Sequence, residues 1–252
     1  VVTINDLAFE AWPDDFAVAT RLKYRAFTRL AARSAERVIC PSSYTRDDLV
    51  KRYGIDHSEI RVIPDAPALA TSDAQPPPGP YVLAVGDLRR KKNLRALVEA
   101  FVALHRGHVI PHRMVLAGVD GGEGPRLRAL AAGAPVEFTG YVADTRLDAL
   151  IRGADLVVHP SLYEGFGLVV LEAMARGTPV LAAGATALPE TGGDAAAYFT
   201  PEDPVALRDA LGSLLADPER RAELSRRGID RAKQFSWERT ARETVDVYRE
   251  LL

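Results

Sequence analysis

Two glutamates, Glu164 and Glu172, stand eight residues apart around a helix start predicted at Leu168. Gly165 and Gly167 lie between them, where a backbone without side chains lets a ligand come close. The first N–H groups of a helix are free and attract anions, phosphate above all. Each carboxylate can hold a vicinal diol, and the two are at most about 12 Å apart. The pattern indicates a diphosphate between two sugars; a solvated loop glutamate and an exposed helical one are the alternative.

A second charged segment follows the apolar strand predicted at Tyr81–Val85. It contains four consecutive cations, Arg89 through Lys92. A diphosphate leaving group gains negative charge as its bond to a sugar breaks, and fixed cations stabilise that transition state more than the ground state. Lys92, with Arg90 or Lys91, is the candidate for this task. A solvated loop or a basic targeting patch is the alternative interpretation.

Both segments need a sheet that brings the ends of their strands together. After residue 80, apolar runs alternate with amphipathic segments, which predicts a doubly wound α/β domain with a parallel sheet covered on both faces. Ligands bind at the carboxyl ends of such strands, where both charged segments lie. The predicted strands are Tyr81–Val85, Met114–Ala117, Val136–Thr139, Leu156–His159 and Val180–Ala183. The predicted helices are Leu94–Leu104, Pro125–Ala132, Thr145–Arg152, Leu168–Arg176, Val205–Ala216, Pro218–Phe235 and Ser236–Leu252.

The chain before residue 81 is predicted to contain half a domain and a linker. Its strands are predicted at Val1–Asn5, Arg37–Cys40 and Ile60–Ile63, and its helices near Arg21–Ser34 and Tyr44–Tyr53. Three strands make half of a doubly wound unit, so we expect an upstream segment or a partner chain to cover the open edge. Six prolines between residues 64 and 80 predict an extended linker. The predicted organisation is a partial N-terminal unit at 1–66, a linker at 67–80, a complete domain at 81–235 and a last helix at 236–252.

The composition excludes several classes of protein. Basic residues number 32 and acidic residues 34, a balance that argues against nucleic-acid binding. No run of roughly 18 apolar residues occurs, which argues against a spanning helix. Cys40 is the only cysteine, so no internal disulfide can form, and we expect a reduced, cytoplasmic setting, with peripheral contact at the inner membrane face left open. The five histidines show no metal-ligand spacing, so no metal site is predicted.

Taken in order, the motifs resemble the retaining GT-B glycosyltransferases of family 4, the group 1 glycosyl transferases. Glu164 and Glu172, with seven residues between them, are similar to the paired glutamates of that family. The resemblance is dense over residues 60–252 and looser over 1–63. Further matching segments are Gly86–Asn93, Gly118 with Asp120-Gly-Gly-Glu, Gly140-Tyr-Val, Gly177-Thr-Pro-Val-Leu and Phe235-Ser-Trp-Glu.

The resemblance implies transfer of a sugar from a nucleotide diphosphate donor to an acceptor hydroxyl, with retained configuration and without metal or other cofactor. It implies that Glu172 binds the ribose hydroxyls and that Glu164 binds the donor sugar near its C3 and C4 hydroxyls. It also implies that the last helix crosses back to the N-terminal, acceptor-side unit. An unknown hydroxyl compound, a glycan or lipid-linked glycan, is the expected acceptor. The implied catalytic residues are Glu164, Lys92 and Asn5. The implied donor-binding residues are Gly86, Arg90, Lys91, Gly165, Phe166, Gly167, Leu168 and Glu172.

Two departures from the family pattern bear on activity. Asn5 stands where the family often has histidine, and an amide cannot exchange a proton near neutral pH. Asp87 places an acid beside the expected phosphate site. Three hypotheses therefore compete: a glycosyltransferase, a truncated module that binds a nucleotide sugar without transferring it, and another GT-B enzyme such as a nucleotide-sugar epimerase.

Overall fold

The computed structural model describes residues 1–252, and its strands form two separate parallel sheets. The smaller sheet is built from β1 (Val2–Thr3), β2 (Val38–Cys40) and β3 (Ile60–Val62) in that order. Its helices are α1 (Ala8–Ala11), α2 (Val18–Ser34) and α3 (Ser43–Tyr53). A cluster of ten buried hydrophobic residues gives this N-terminal unit its own core.

The larger sheet has six parallel strands in the order β6-β5-β4-β7-β8-β9. Numbered from its first strand, this is the order 3-2-1-4-5-6 of a doubly wound sheet, which confirms the predicted fold class. The chain reverses its direction of winding between β4 and β7, so the loops that follow these two strands diverge and leave a crevice. The strands are β4 (Tyr81–Val85), β5 (Arg113–Ala117), β6 (Val136–Gly140), β7 (Leu156–His159), β8 (Val180–Ala183) and β9 (Ala197–Phe199).

Helices cover both faces of this sheet around a core of 44 buried residues. The central strands β4, β7 and β8 are buried along almost their whole length, as their unbroken apolar sequences require. The helices are α4 (Leu94–Arg106), α5 (Gly124–Leu130), α6 (Asp144–Gly153), α7 (Leu168–Ala175), α8 (Leu188–Gly192), α9 (Pro204–Ala216), α10 (Pro218–Ala232) and α11 (Trp237–Arg249). No helix has both the length and the apolar character needed to cross a membrane.

The last helix, α11, packs on the N-terminal unit. Val247 is buried with Ile39 and Ile63 in a small separate cluster. Beyond the helix, the Glu250 carboxylate accepts hydrogen bonds from Arg37 and Arg61, at 2.6 Å for Arg61 Nη2. The final helix thus holds the two units together.

Several element boundaries differ from the sequence prediction by one to three residues. The helix expected at Pro218–Phe235 ends at Ala232, because Phe235 turns inward to pack edge-on against Phe166. Ser236 then caps α11 by accepting a hydrogen bond from the Arg239 amide. The short elements α1, α8 and β9 were not predicted, because three to five residues are too few to display a period.

Candidate functional site

The two charged loops meet at the crevice between β4 and β7. Lys92, in the loop after β4, places its Nζ 2.5 Å from Oε1 of Glu164, in the loop after β7. The side chains are 16% and 12% exposed, so the ion pair is largely removed from water. The sequence places both residues at strand ends, and the winding order of the sheet brings them together.

His159, the last residue of β7, lies on the other side of Glu164. Its Nε2 is 3.0 Å from the same Glu164 Oε1 and 3.3 Å from Ser161 Oγ. Burial favours the neutral acid, but the His159 hydrogen bond and the Lys92 charge outweigh it and hold the pKa of Glu164 well below its usual range. Burial lowers the pKa of His159, and Glu164 opposes that shift. Glu164 is therefore an ionised carboxylate held by two donors.

Two glycines shape this part of the crevice. Gly86 has φ 137°, and a Cβ there would lie 3.3 Å from Cε of Lys92, so the lysine stem runs closely along bare backbone. Gly167 precedes α7 with φ 102°, and a Cβ there would lie 2.7 Å from Leu188 Cδ2. Side chains rarely adopt such φ values, so both positions favour glycine. Leu168, the first residue of α7, is 39% exposed.

A cleft of about 630 Å³ opens between the two units in front of this ion pair. Its volume lies in the range of small-molecule sites. Asn5 and Asp6 face it from the N-terminal unit, and Lys91 and Lys92 from the larger one. The other lining residues are Thr3, Ile4, Ala8, Phe9, Phe16, Tyr24, Thr28, Gly86, Asp87 and Arg89.

Of the four consecutive cations, three line the cleft and one does not. Arg89 lines the cleft, where its Nη1 donates to the Asp15 carbonyl oxygen at 2.9 Å. Arg90 does not line the cleft; its Nε lies 3.5 Å from Glu123, and its side chain is 59% exposed. The structure therefore places Arg89, Lys91 and Lys92 at the cleft, whereas the sequence interpretation named Arg90 and left Arg89 out. The short helical turn formed by residues 90–92 causes this separation.

The loop that carries Glu164 is held by hydrogen bonds from the N-terminal unit. Ser42 Oγ and Thr45 Oγ1, at the start of α3, donate to the Gly165 carbonyl oxygen at 2.5 and 3.0 Å. A Cβ at position 165 would lie 2.1 Å from the Asn5 carbonyl oxygen. Glycine is needed at 165 to admit the neighbouring unit, which differs from the expectation that its missing side chain makes room for a ligand. The Phe166 side chain likewise belongs to the hydrophobic core and does not line the cleft.

Tyr163, in the same loop, also bonds to the N-terminal unit. Its hydroxyl donates to Asp48 Oδ2 at 2.9 Å and accepts from the Leu7 amide at 3.0 Å, and the residue is 2% exposed. Burial raises the pKa of Tyr163, and the Asp48 charge raises it further, so the hydroxyl stays a donor. Glu190, in α8, accepts from the Ser43 amide at 2.8 Å. The glycine loop is therefore fixed by both units.

Glu172 lies outside the cleft, against the linker. Its Oε1 accepts from the Ala68 and Leu69 amides at 2.6 and 2.8 Å, and its Oε2 accepts from Arg176 Nη1 at 2.6 Å. A carboxylate has about four acceptor positions, and three are used here. One acceptor position, on Oε2, remains open, so Glu172 could hold both hydroxyls of a ribose only if the linker released Oε1.

Sequence reasoning missed His159, Tyr163 and Arg176. His159 carried a readable signal, because it is a polar residue that ends an apolar strand at the edge where ligands bind. Tyr163 and Arg176 carried none, since their partners are remote in sequence: Asp48 is 115 residues from Tyr163 and Leu69 is 107 from Arg176.

Solved structures with the same architecture define the class of fold. Sucrose-phosphate synthase from Thermosynechococcus elongatus has a TM-score of 0.80 and is 28% identical, covering 99% of this chain and 67% of that one. Anabaena HepE, solved with UDP and glucose, has a TM-score of 0.79 at 22% identity, covering 99% of this chain and 71% of that one. The two units and the cleft between them are those of the GT-B fold.

Sequence comparison identifies the family. The model for "Glycosyl transferases group 1" matches residues 69–231, and that for "Glycosyltransferase Family 4" matches residues 1–66. The chain therefore belongs to the group 1 glycosyl transferases, as the motifs predicted. It is 29% identical to the O-antigen chain mannosyltransferase B of Escherichia coli, over 99% of this chain and 70% of that protein. It is 33% identical to a D-inositol 3-phosphate glycosyltransferase of Salinispora tropica, over 86% of this chain and 51% of that protein.

Proposed function

We propose that this chain binds a nucleotide diphosphate sugar in the cleft and transfers the sugar, with retained configuration, to an acceptor hydroxyl. The observation that carries the proposal is the largely buried Lys92–Glu164 pair at the winding reversal of the larger sheet, beside the cleft lined by Arg89 and Lys91. The pair sets a cation for the diphosphate next to a carboxylate for sugar hydroxyls. The relatives, a mannosyltransferase and an inositol-phosphate glycosyltransferase, support the reaction class, and the UDP and glucose bound by HepE support a nucleotide sugar as donor.

Each charged group has a separate task in this proposal. The ammonium group of Lys92 has three N–H donors, and Glu164 uses one, which leaves two for phosphate oxygens. As the bond between the anomeric carbon and the phosphate oxygen breaks, charge grows on the diphosphate and these contacts strengthen. The acceptor hydroxyl attacks from the same face and passes its proton to a phosphate oxygen. Asn5, at the cleft, offers hydrogen bonds to sugar hydroxyls without exchanging a proton.

The first experiment measures binding of UDP, GDP and ADP to the chain by calorimetry and thermal shift. Lys92→Met should weaken binding of the preferred nucleotide by about tenfold or more, because a charge-assisted hydrogen bond to phosphate is lost. Lys51→Met is the matched control, since Lys51 is an exposed lysine on α3. Absence of binding by all three nucleotides, or equal losses in the two variants, would overturn the assignment of the donor site.

The second experiment separates the competing activities. The chain is incubated with nucleotide sugars, and release of free sugar, transfer to glycan hydroxyls and the anomeric configuration of any product are followed by NMR. Hydrolysis or transfer with retention that is lost in Glu164→Gln supports the proposal. Binding without either reaction would show a binding module, and appearance of an epimerised nucleotide sugar would show an epimerase.

A further inference from the structure

A buried cluster of charges, none of which lines the cleft, joins the linker to the larger unit. Its members are Asp148 on α6, Glu172 on α7, and Arg176 just after α7. Their side chains are 0%, 9% and 6% exposed. Buried charges are costly unless they are paired and hydrogen-bonded, so this cluster needs an explanation.

Arg176 is the centre of the cluster. Its Nε donates to Asp148 Oδ1 at 2.8 Å, and its Nη1 donates to Glu172 Oε2 at 2.6 Å. Its Nη2 donates to the Leu69 carbonyl oxygen at 2.5 Å. The planar guanidinium thus fixes a carboxylate on each of two helices and the linker backbone at once.

The linker completes the arrangement at Glu172. The Leu69 backbone is held on both sides, because its amide donates to Glu172 Oε1 while its carbonyl oxygen accepts from Arg176. The Glu172 carboxylate is therefore locked in orientation, with three acceptor positions occupied and one on Oε2 open.

We propose that Arg176 is a positioning residue of the donor site, which aims the remaining acceptor position of Glu172 at one hydroxyl of the donor's ribose. This inference rests on the proposed function, because Glu172 is the residue expected to hold the ribose. Without Arg176, Oε2 of Glu172 loses its partner and the buried carboxylate loses its cation, so that only the Ala68 and Leu69 amides on Oε1 still hold it. The nucleotide then binds a group that must first be ordered, which weakens affinity.

A second arginine provides an internal control. Arg152 donates to Asp148 Oδ2 at 2.9 Å and to the carbonyl oxygens of Ser72 and Ala74 at 2.9 and 2.8 Å. It holds the linker and shares the Asp148 carboxylate, as Arg176 does, but makes no contact with Glu172. Loss of Arg152 therefore tests the role of linker anchoring separately from the positioning of Glu172.

The test is a double-mutant cycle on the affinity for the preferred nucleoside diphosphate. Arg176→Ala should raise the Kd about tenfold, a change of about 1.4 kcal/mol. Arg152→Ala should change it less than about twofold. In a Glu172→Ala background, Arg176→Ala should not change the Kd further, because the carboxylate that Arg176 orients is absent. Arg176→Lys should restore part of the affinity.

A second variant covers the case in which Arg176→Ala does not fold. Removing Arg176 leaves Glu172 without a cation and Asp148 with Arg152 alone, so the double variant Arg176→Met with Asp148→Asn, which restores the net charge of the cluster, is measured if the single variant does not fold. Equal losses in the Arg176 and Arg152 variants, or a full Arg176 effect in the Glu172→Ala background, would overturn the positioning role while leaving donor binding intact. Wild-type chain that binds no nucleotide would instead overturn the proposed function itself.

Discussion

Replacing Tyr163 by phenylalanine should weaken the contact between the N-terminal unit and the glycine loop. The lost hydroxyl donates to the Asp48 carboxylate and is the partner of the Leu7 amide, and all three groups are buried. A hydrogen bond to a charged group contributes about 1.5–3 kcal/mol, and a buried N–H without a partner costs about 1–3 kcal/mol. Arg52 still pairs with Asp48, so part of the first contribution survives. The free energy of unfolding should fall by about 2–4 kcal/mol.

Urea denaturation followed by tryptophan fluorescence suits this measurement. Trp12 lies in the N-terminal unit, and Trp237, at the start of α11, donates its Nε1–H to the Pro67 carbonyl oxygen. Trp12 therefore reports on the N-terminal unit, and Trp237 reports on the contact between α11 and the linker. The control is Tyr44→Phe, because the Tyr44 ring packs edge-on against Tyr163, and its hydroxyl has no hydrogen-bond partner among the side chains and backbone around it.

The control variant should lose less than about 0.5 kcal/mol, as is usual for a change that removes no buried interaction. If Tyr163→Phe were no less stable than Tyr44→Phe, the buried hydroxyl would have no measurable role in joining the units. The substitution should also affect the reaction, because Tyr163 directly precedes Glu164. A looser loop should raise KM for the donor even where the protein remains folded.

Two further outcomes follow from the structure. Gly165→Ala should separate the units and abolish donor turnover, because its Cβ would lie 2.1 Å from the Asn5 carbonyl oxygen, whereas Gly107→Ala, with its closest contact at 3.4 Å, should leave both turnover and unfolding unchanged. Burial opposes ionisation of Asp148, but hydrogen bonds from Arg152, the Ser72 amide and Arg176 lower its pKa from 3.8 to about 2. Its stabilising contribution is present above about pH 4 and is lost as the pH falls to about 2, so urea midpoints of wild type and Asp148→Asn should converge over that interval.

The sequence alone predicts the features that depend on the local pattern of hydrophobic residues or on the position where a strand ends. The predicted bounds of β4, β7 and β8 agree with the structure, because unbroken apolar runs between turn residues leave little freedom. The meeting of Lys92 with Glu164 was also predictable, since each follows a strand of a doubly wound sheet.

The partners of Glu172 could not be predicted in the same way. Its position on α7 is local information, but Ala68 and Leu69 reach it from 104 and 103 residues away. The path of the linker decides that contact, and a proline-rich composition specifies extension without specifying direction. Arg90 shows the same limit at short range: its neighbours Lys91 and Lys92 face the cleft, and one short helical turn directs it elsewhere. A run of like charges therefore identifies a site without telling which members belong to it.

In the proposed function, the Lys92–Glu164 pair would explain why a carboxylate next to a phosphate site need not repel the donor. Glu164 is already compensated by Lys92 and by the His159 hydrogen bond, so the diphosphate meets a pair whose charges cancel and not a free anion. Such a pair attracts the ground-state donor weakly, leaving capture to Arg89 and Lys91 at the cleft. As the leaving group gains charge, the two remaining Lys92 donors gain most, because Glu164 fixes their direction in advance. The role that we propose for the ion pair is therefore to stabilise the departing diphosphate, more than to bind the intact donor.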